Sequence, residues 1–131
     1  MSEYIKYYLV AAVLFSLIDF IWLGTVAKSF YRGAIGKLLL NKPNLPAAVV
    51  FYLLFILGLV VFAIVPASRE ADAVSNAFRL GAMFGFFTYM TYDLTNLATL
   101  KGWSAKLVVV DTIWGTILAA LVSGLTGIIL F

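Results

Sequence analysis

The sequence predicts an all-α, four-helix transmembrane bundle, and three observations carry that expectation. The 131-residue chain is 64% hydrophobic and only 11% charged, with a mean hydropathy of +1.08. A soluble domain is nearer half apolar and a quarter charged, so lipid must cover part of this surface. Four stretches each reach the roughly 20 apolar residues that cross a hydrocarbon core. Small residues recur at helical spacing along the last two of them, as in the seams by which membrane helices pack. A chain of this length holds one domain, residues 1–131.

The first predicted span covers roughly residues 7–26. Lys6 ahead of it and Thr25 and Ala27 behind it resemble signal-peptide flanks, but the apolar run is long for that role, and it is expected to be retained. Residues 29–40 follow. Tyr31, Ala34, Ile35 and Leu38 lie at i, i+3, i+4, i+7, with Arg32 and Lys37 off that face. This reads as a short interfacial helix, apolar side down, capped by Ser29; Gly33 and Gly36 leave an irregular loop as the alternative. The second span covers roughly 46–65, with Pro46 in its first turn and Pro66 as a stop. The third covers roughly 76–97 and the fourth roughly 106–131.

Alternating spans place the loops on two sides. Lys28, Arg32, Lys37, Lys42, Lys101 and Lys106 fall on one side, and Lys6, Arg69 and Arg79 on the other. Six against three puts the basic loops in the cytoplasm and both termini on the non-cytoplasmic side. The net charge of +3 comes from scattered residues flanking apolar segments, so the expected partner is membrane lipid, with no nucleic acid.

The chain has no cysteine and no histidine. Disulfides, thiol nucleophiles, thiolate or imidazole metal sites and His-based triads are excluded, and no cofactor is implied. Acid–base chemistry falls to Asp, Glu, Lys or Tyr.

Three acids interrupt the apolar spans: Asp19, Asp93 and Asp111. With alternating spans, all three lie towards the basic-loop side. Asp93 is about 12 Å from Lys101 along a helix axis, Asp111 about 7–8 Å from Lys106 and Asp19 about 13–14 Å from Lys28. Asp19-Phe-Ile-Trp22-Leu-Gly24-Thr25 is echoed by Asp111-Thr-Ile-Trp114-Gly115-Thr116, and at i, i+3 each carboxylate shares a face with an indole. Trp22 and Trp114 therefore read as pocket walls as readily as members of an interfacial aromatic belt, whereas Trp103 reads as belt alone. In the third span Gly81, Gly85, Tyr89, Tyr92 or Asp93, and Asn96 form a stripe. In the fourth Gly115, Ala119, Ser123 and Gly127 do the same. Both stripes read first as packing seams.

An aspartate at a helix centre costs about 2.5–3.5 kcal/mol on insertion scales. No Lys or Arg lies within the middle of any span, so hydroxyls, amides, indole N–H groups, water, a proton or a cation must compensate. Two of the acids in contact would titrate as a unit. Asp19, Asp93 and Asp111 thus form a candidate ligand- or proton-binding site with Asn96, Tyr92, Trp22 and Trp114. Lys28, Arg32, Lys101 and Lys106 are candidate head-group contacts. The bland reading is a hydrogen-bond network tying helix ends together. No two of the acids share a span and no D-x-D or D-x-x-D motif occurs, so no metal site is predicted.

At these residues the chain resembles the Domain of Unknown Function 2177 family of small bacterial membrane proteins. The resemblance rests on Asp19-Phe-Ile-Trp22-Leu-Gly24, Phe51-Tyr52 with Gly58 and Pro66, Tyr92-Asp93-Leu-Thr95-Asn96, Trp103, and Asp111-Thr-Ile-Trp114-Gly115. It implies a four-helix, multi-pass protein of the bacterial inner membrane and no assigned activity. Three functions fit the acids. They are a role on a lipid or amphiphile at the cytoplasmic leaflet, a small proton- or cation-coupled transporter working as a homodimer, and a structural or assembly subunit.

Overall fold

The computed structural model describes residues 2–131, and every element among them is helical. Helix α1 (Ser2–Trp22) runs through a wide π-helical turn, Leu23–Ala27, into α2 (Lys28–Ile35) and a 3₁₀ turn, Gly36–Leu38. After a short extended link, α3 (Leu45–Leu59) passes through a second π-helical turn, Val60–Ile64, into α4 (Val65–Ser68). Helices α5 (Ala73–Thr99) and α6 (Ala105–Leu130) complete the bundle.

The ends of these elements follow local chemistry. Asn44 caps α3 by accepting the Ala47 N–H at 3.1 Å, and Pro46 sits in the first turn, where its missing N–H costs nothing. Ser104 caps α6 by accepting the Leu107 N–H at 3.1 Å. Gly102 turns the chain between α5 and α6 with a φ of +78°, a conformation that a Cβ disfavours.

Two local expectations need correction. Pro66 does not stop its helix, which continues to Ser68. The preceding π turn accounts for this: the Val65 N–H bonds back to the Val60 carbonyl, widening the ladder just where the proline has no N–H to give. Ser29 does not cap α2. That helix arrives already wound from α1, so its first N–H groups have carbonyl partners upstream and no cap is required.

Three helical runs, Ser2–Leu38, Leu45–Ser68 and Ala105–Leu130, are long and apolar enough to cross a membrane. Helix α5 has the length, about 40 Å for its 27 residues, but its Thr, Tyr, Asn and Gly content lowers its hydropathy. Its Thr91, Tyr92 and Thr95 are exposed. Gly81, Gly85 and Asp93 of α5 are all buried, turned towards other helices and away from the surroundings.

Helix α6 is the centre of the bundle, packed along its length on α5 and on its other side against α1. The two small-residue stripes meet each other. A methyl group built on Gly81 would stand 2.6 Å from the Ala119 carbonyl oxygen and 2.7 Å from Ser123 Cβ. The Tyr89 ring lies flush against Gly115, and the Phe78 ring against Gly124. Such close approach is what glycine permits and what drives packing where lipid competes for apolar contact. Phe15, Leu59, Ile64, Leu118 and Val122 fill the remaining core between α1, α3 and its π turn, and α6. Leu9, Val13, Leu17 and Phe20 form an exposed apolar stripe on the outside of α1.

The first half of α3 is mostly exposed; only from Phe55 onwards does the helix bury residues. Its Asn44 end therefore stands away from its neighbours and leaves clefts on both sides. Those clefts position the site.

Candidate functional site

The three aspartates are all buried, Asp93 completely. Asp93 lies two turns before the end of α5 and Asp111 in the second turn of α6, so the tight Leu100–Ser104 connection brings them to the same end of the seam. They are linked through Thr112, the residue after Asp111. Thr112 donates to Asp93 Oδ2 at 3.5 Å, while Asp93 Oδ1 is buried without a hydrogen-bond donor.

Asp111 Oδ1 accepts a short hydrogen bond from the Tyr31 hydroxyl. That bond needs α2, which continues the helical run of α1 through the π turn at Leu23–Ala27, to stay against α6. The Lys106 ammonium over the Phe30 ring, 5.9 Å from its centroid, marks a second contact of the same pair.

Asp19 uses both oxygens. Oδ2 accepts from the Tyr52 hydroxyl at 3.0 Å and Oδ1 from the Trp114 indole N–H at 3.4 Å. The echoed sequence motifs meet face to face here, because Trp22 and Trp114 stack at 4.3 Å between centroids with an interplanar angle of 7°. The pairing expected within each helix, Asp with its own Trp, is thus crossed: the carboxylate of α1 takes the indole of α6. Asp19 is joined to α6 through Trp114. Among the described residues no three acidic side chains stand close enough together to hold one metal ion.

Three spaces adjoin these groups. A cleft of about 400 Å³ is lined by Phe51, Phe55, Thr88, Tyr89, Tyr92 and Asp111, between α3 and α5. It is apolar except at its Asp111 end. A smaller cavity of about 150 Å³ shares Phe51, Tyr89 and Asp111 with it and reaches Asp19, Tyr31, Tyr52 and the Trp22–Trp114 stack. A further cleft of about 250 Å³, lined by Phe15, Ser16 and Phe20 among others, meets the same cavity at Asp19, Leu23 and Tyr52, on the α1 side of α3.

The remaining sequence-predicted residues are placed as follows. Tyr92 is 58% exposed. Its hydroxyl bonds to no aspartate; its ring meets Trp103 edge-on at 5.9 Å between centroids. Asn96 lies beside Tyr92, one turn on, and gives no hydrogen bond to Asp19, Asp93 or Asp111. The orienting donors expected from Tyr92 and Asn96 are supplied instead by Tyr31, Tyr52, Thr112 and Trp114. For Tyr92 helical geometry gives the reason, since a residue directly before Asp93 points about 100° away from it. Lys28 and Arg32 border a groove of about 350 Å³ on the far side of the π turn, with Thr25 and Ser29. Lys101 is exposed in the α5–α6 turn, and Lys106 is exposed in the first turn of α6.

Tyr31 and Tyr52 escaped sequence reasoning as site residues. Tyr31 sits on what reads as the apolar face of an interfacial helix, and Tyr52 in a span with no acid of its own. The available signal was the need for donors: three buried acids without cations require hydroxyls, and tyrosines in apolar segments are the richest supply.

A protein-family model described as "predicted membrane protein (DUF2177)" matches residues 4–128. No curated protein and no solved structure matches the chain. With nearly the whole chain covered by that one model, the protein belongs to the DUF2177 family of predicted membrane proteins.

Proposed function

We propose that this chain is a four-span protein of the bacterial inner membrane that binds an amphiphile, with its polar site at the cytoplasmic end of the bundle and both termini on the opposite side. Helix α5 serves as the fourth span, with Asp93 buried against the other helices. The apolar part of the ligand lies in the cleft between α3 and α5, against Phe51 and Phe55. Its polar end meets Asp111, with Asp93 and Asp19 behind. Lys28, Arg32, Lys101 and Lys106 are at the head-group level of the same leaflet.

The observation that carries this reading is the position of Asp111, at the junction of an apolar cleft of about 400 Å³ and a polar cavity of about 150 Å³. A purely structural hydrogen-bond network has no need of an open apolar approach to one of its carboxyls. Ligand pockets have this composition, mostly apolar with a few converging polar groups. Native mass spectrometry of gently extracted protein, wild type beside Asp111→Asn, tests it. An adduct of one mass on the wild type and its absence from the variant is expected. Bare protein in both samples, or the same adducts on both, would sink the proposal.

A further inference from the structure

The cavity beyond Asp111 has a chemistry more specific than "polar". Its walls are the stacked indoles of Trp22 and Trp114, the phenols of Tyr31, Tyr52 and Tyr89, and Phe51. Two carboxyls, Asp19 and Asp111, complete it, and no basic side chain lines it. Every chain polar group that bonds to those carboxyls is a neutral donor: Tyr31, Tyr52 and Trp114. Asp19 accepts at both oxygens. Asp93, completely buried on α5, does not line the cavity. Among the described residues the cavity thus has two carboxyls, aromatic walls and no basic side chain, and the Trp22 indole N–H is a buried donor without a partner.

We infer that the cavity receives an organic ammonium group, carried by the amphiphile whose apolar part lies in the adjoining cleft. The inference rests on the amphiphile reading and names the polar end of its ligand. Aromatic faces attract a cation through the negative face of the ring quadrupole, and walls of Trp and Tyr are the general means of holding alkylated ammonium. Carboxylates in a low-dielectric setting strengthen that attraction. A phosphate or carboxylate head entering the same space would meet like charge at Asp19 and Asp111. The volume, about 150 Å³, is several times the roughly 30 Å³ share of a water molecule and suits one small head group. The anion-friendly groove at Thr25, Lys28, Ser29 and Arg32 lies outside this cavity and does not line it.

The test compares matched single-chain probes on wild-type protein in a maltoside detergent, followed by tryptophan fluorescence, to which Trp22 and Trp114 of the cavity and Trp103 outside it contribute. The probes are dodecyltrimethylammonium, dodecanol and tetramethylammonium. Saturable binding of dodecyltrimethylammonium at least about tenfold tighter than dodecanol is expected, with tetramethylammonium weaker than either. Asp19→Asn should narrow the gap between the two long-chain probes, and Tyr89→Phe, which keeps the ring, should not. Equal affinity for dodecyltrimethylammonium and dodecanol would overturn the ammonium assignment while leaving amphiphile binding intact. Tetramethylammonium as tight as dodecyltrimethylammonium would keep the ammonium site and remove the lipid-like chain from its ligand. Binding of none of the three would overturn both. The comparison among probes on wild-type protein needs no variant to fold.

Discussion

Replacing Gly85 with alanine tests how the α5–α6 seam holds the site. The added Cβ would overlap the Gly115 carbonyl oxygen and stand 2.6 Å from Ala119 Cβ. Carbon atoms in contact prefer about 3.5–4.0 Å, so the helices must separate by about 1 Å at this level. Neither neighbour can yield alone: one is backbone and the other a methyl fixed to it. Overpacking of this kind costs about 1–3 kcal/mol. Gly24→Ala is the matched control. It also lies in a helical run, but nothing comes within 4 Å of its Cβ position, so the gain in helix propensity, up to about 1 kcal/mol, stands unopposed. Unfolding of both variants in mixed micelles, titrated with a denaturing detergent, measures the difference. Gly85→Ala should be the less stable of the two by about 2 kcal/mol or more, combining these effects. Equal stabilities, or a Gly85→Ala protein as stable as wild type, would refute the close seam and with it the geometry that links Asp93 to Asp111 through Thr112.

Tyr31→Phe removes the hydroxyl that donates to Asp111; a hydrogen bond to an ionisable partner is worth about 1.5–3 kcal/mol, and faster amide exchange across α2 than across α1 should follow. Ser104→Ala strips the cap of α6 and should cost about 1 kcal/mol, read as a lower midpoint in the same detergent titration. The proposed orientation predicts that a periplasm-dependent enzyme fused after Phe131 is active, while the same reporter inserted at Gly102 is not.

The apolar segments were legible in sequence because a membrane helix leaves a long continuous signal. Pro46, Asn44 and Ser104 mark ends that local chemistry alone explains. Pro66 misled because a π turn five residues long can absorb a proline, and such a turn has no simple sequence signature. The seam of Gly81 and Gly85 was visible as a stripe, but a stripe does not name its partner; only the fold shows that it faces Gly115, Ala119 and Ser123. The site was half legible. Aspartates in apolar segments stand out by their cost, and the Asp19–Trp22 and Asp111–Trp114 echo marked both indoles without showing that they stack. Helix rotation was not legible, so Tyr92 and Asn96 were preferred over Tyr31 and Tyr52 as donors. Tyr31 in particular reaches Asp111 across 80 residues of sequence, by way of a π turn that no local pattern announces.

The central claim is that the cleft between α3 and α5 holds an amphiphile against Asp111, and a photo-crosslinking residue placed at Thr88 examines it in the intact membrane. Thr88 lines that cleft, whereas its neighbour Phe87 is 55% exposed on the outside of α5. The account predicts an adduct of one mass at position 88, lost when Asp111→Asn is added, and a broad mixture of lipid masses at position 87. The same broad mixture at both positions, indifferent to Asp111, would contradict it.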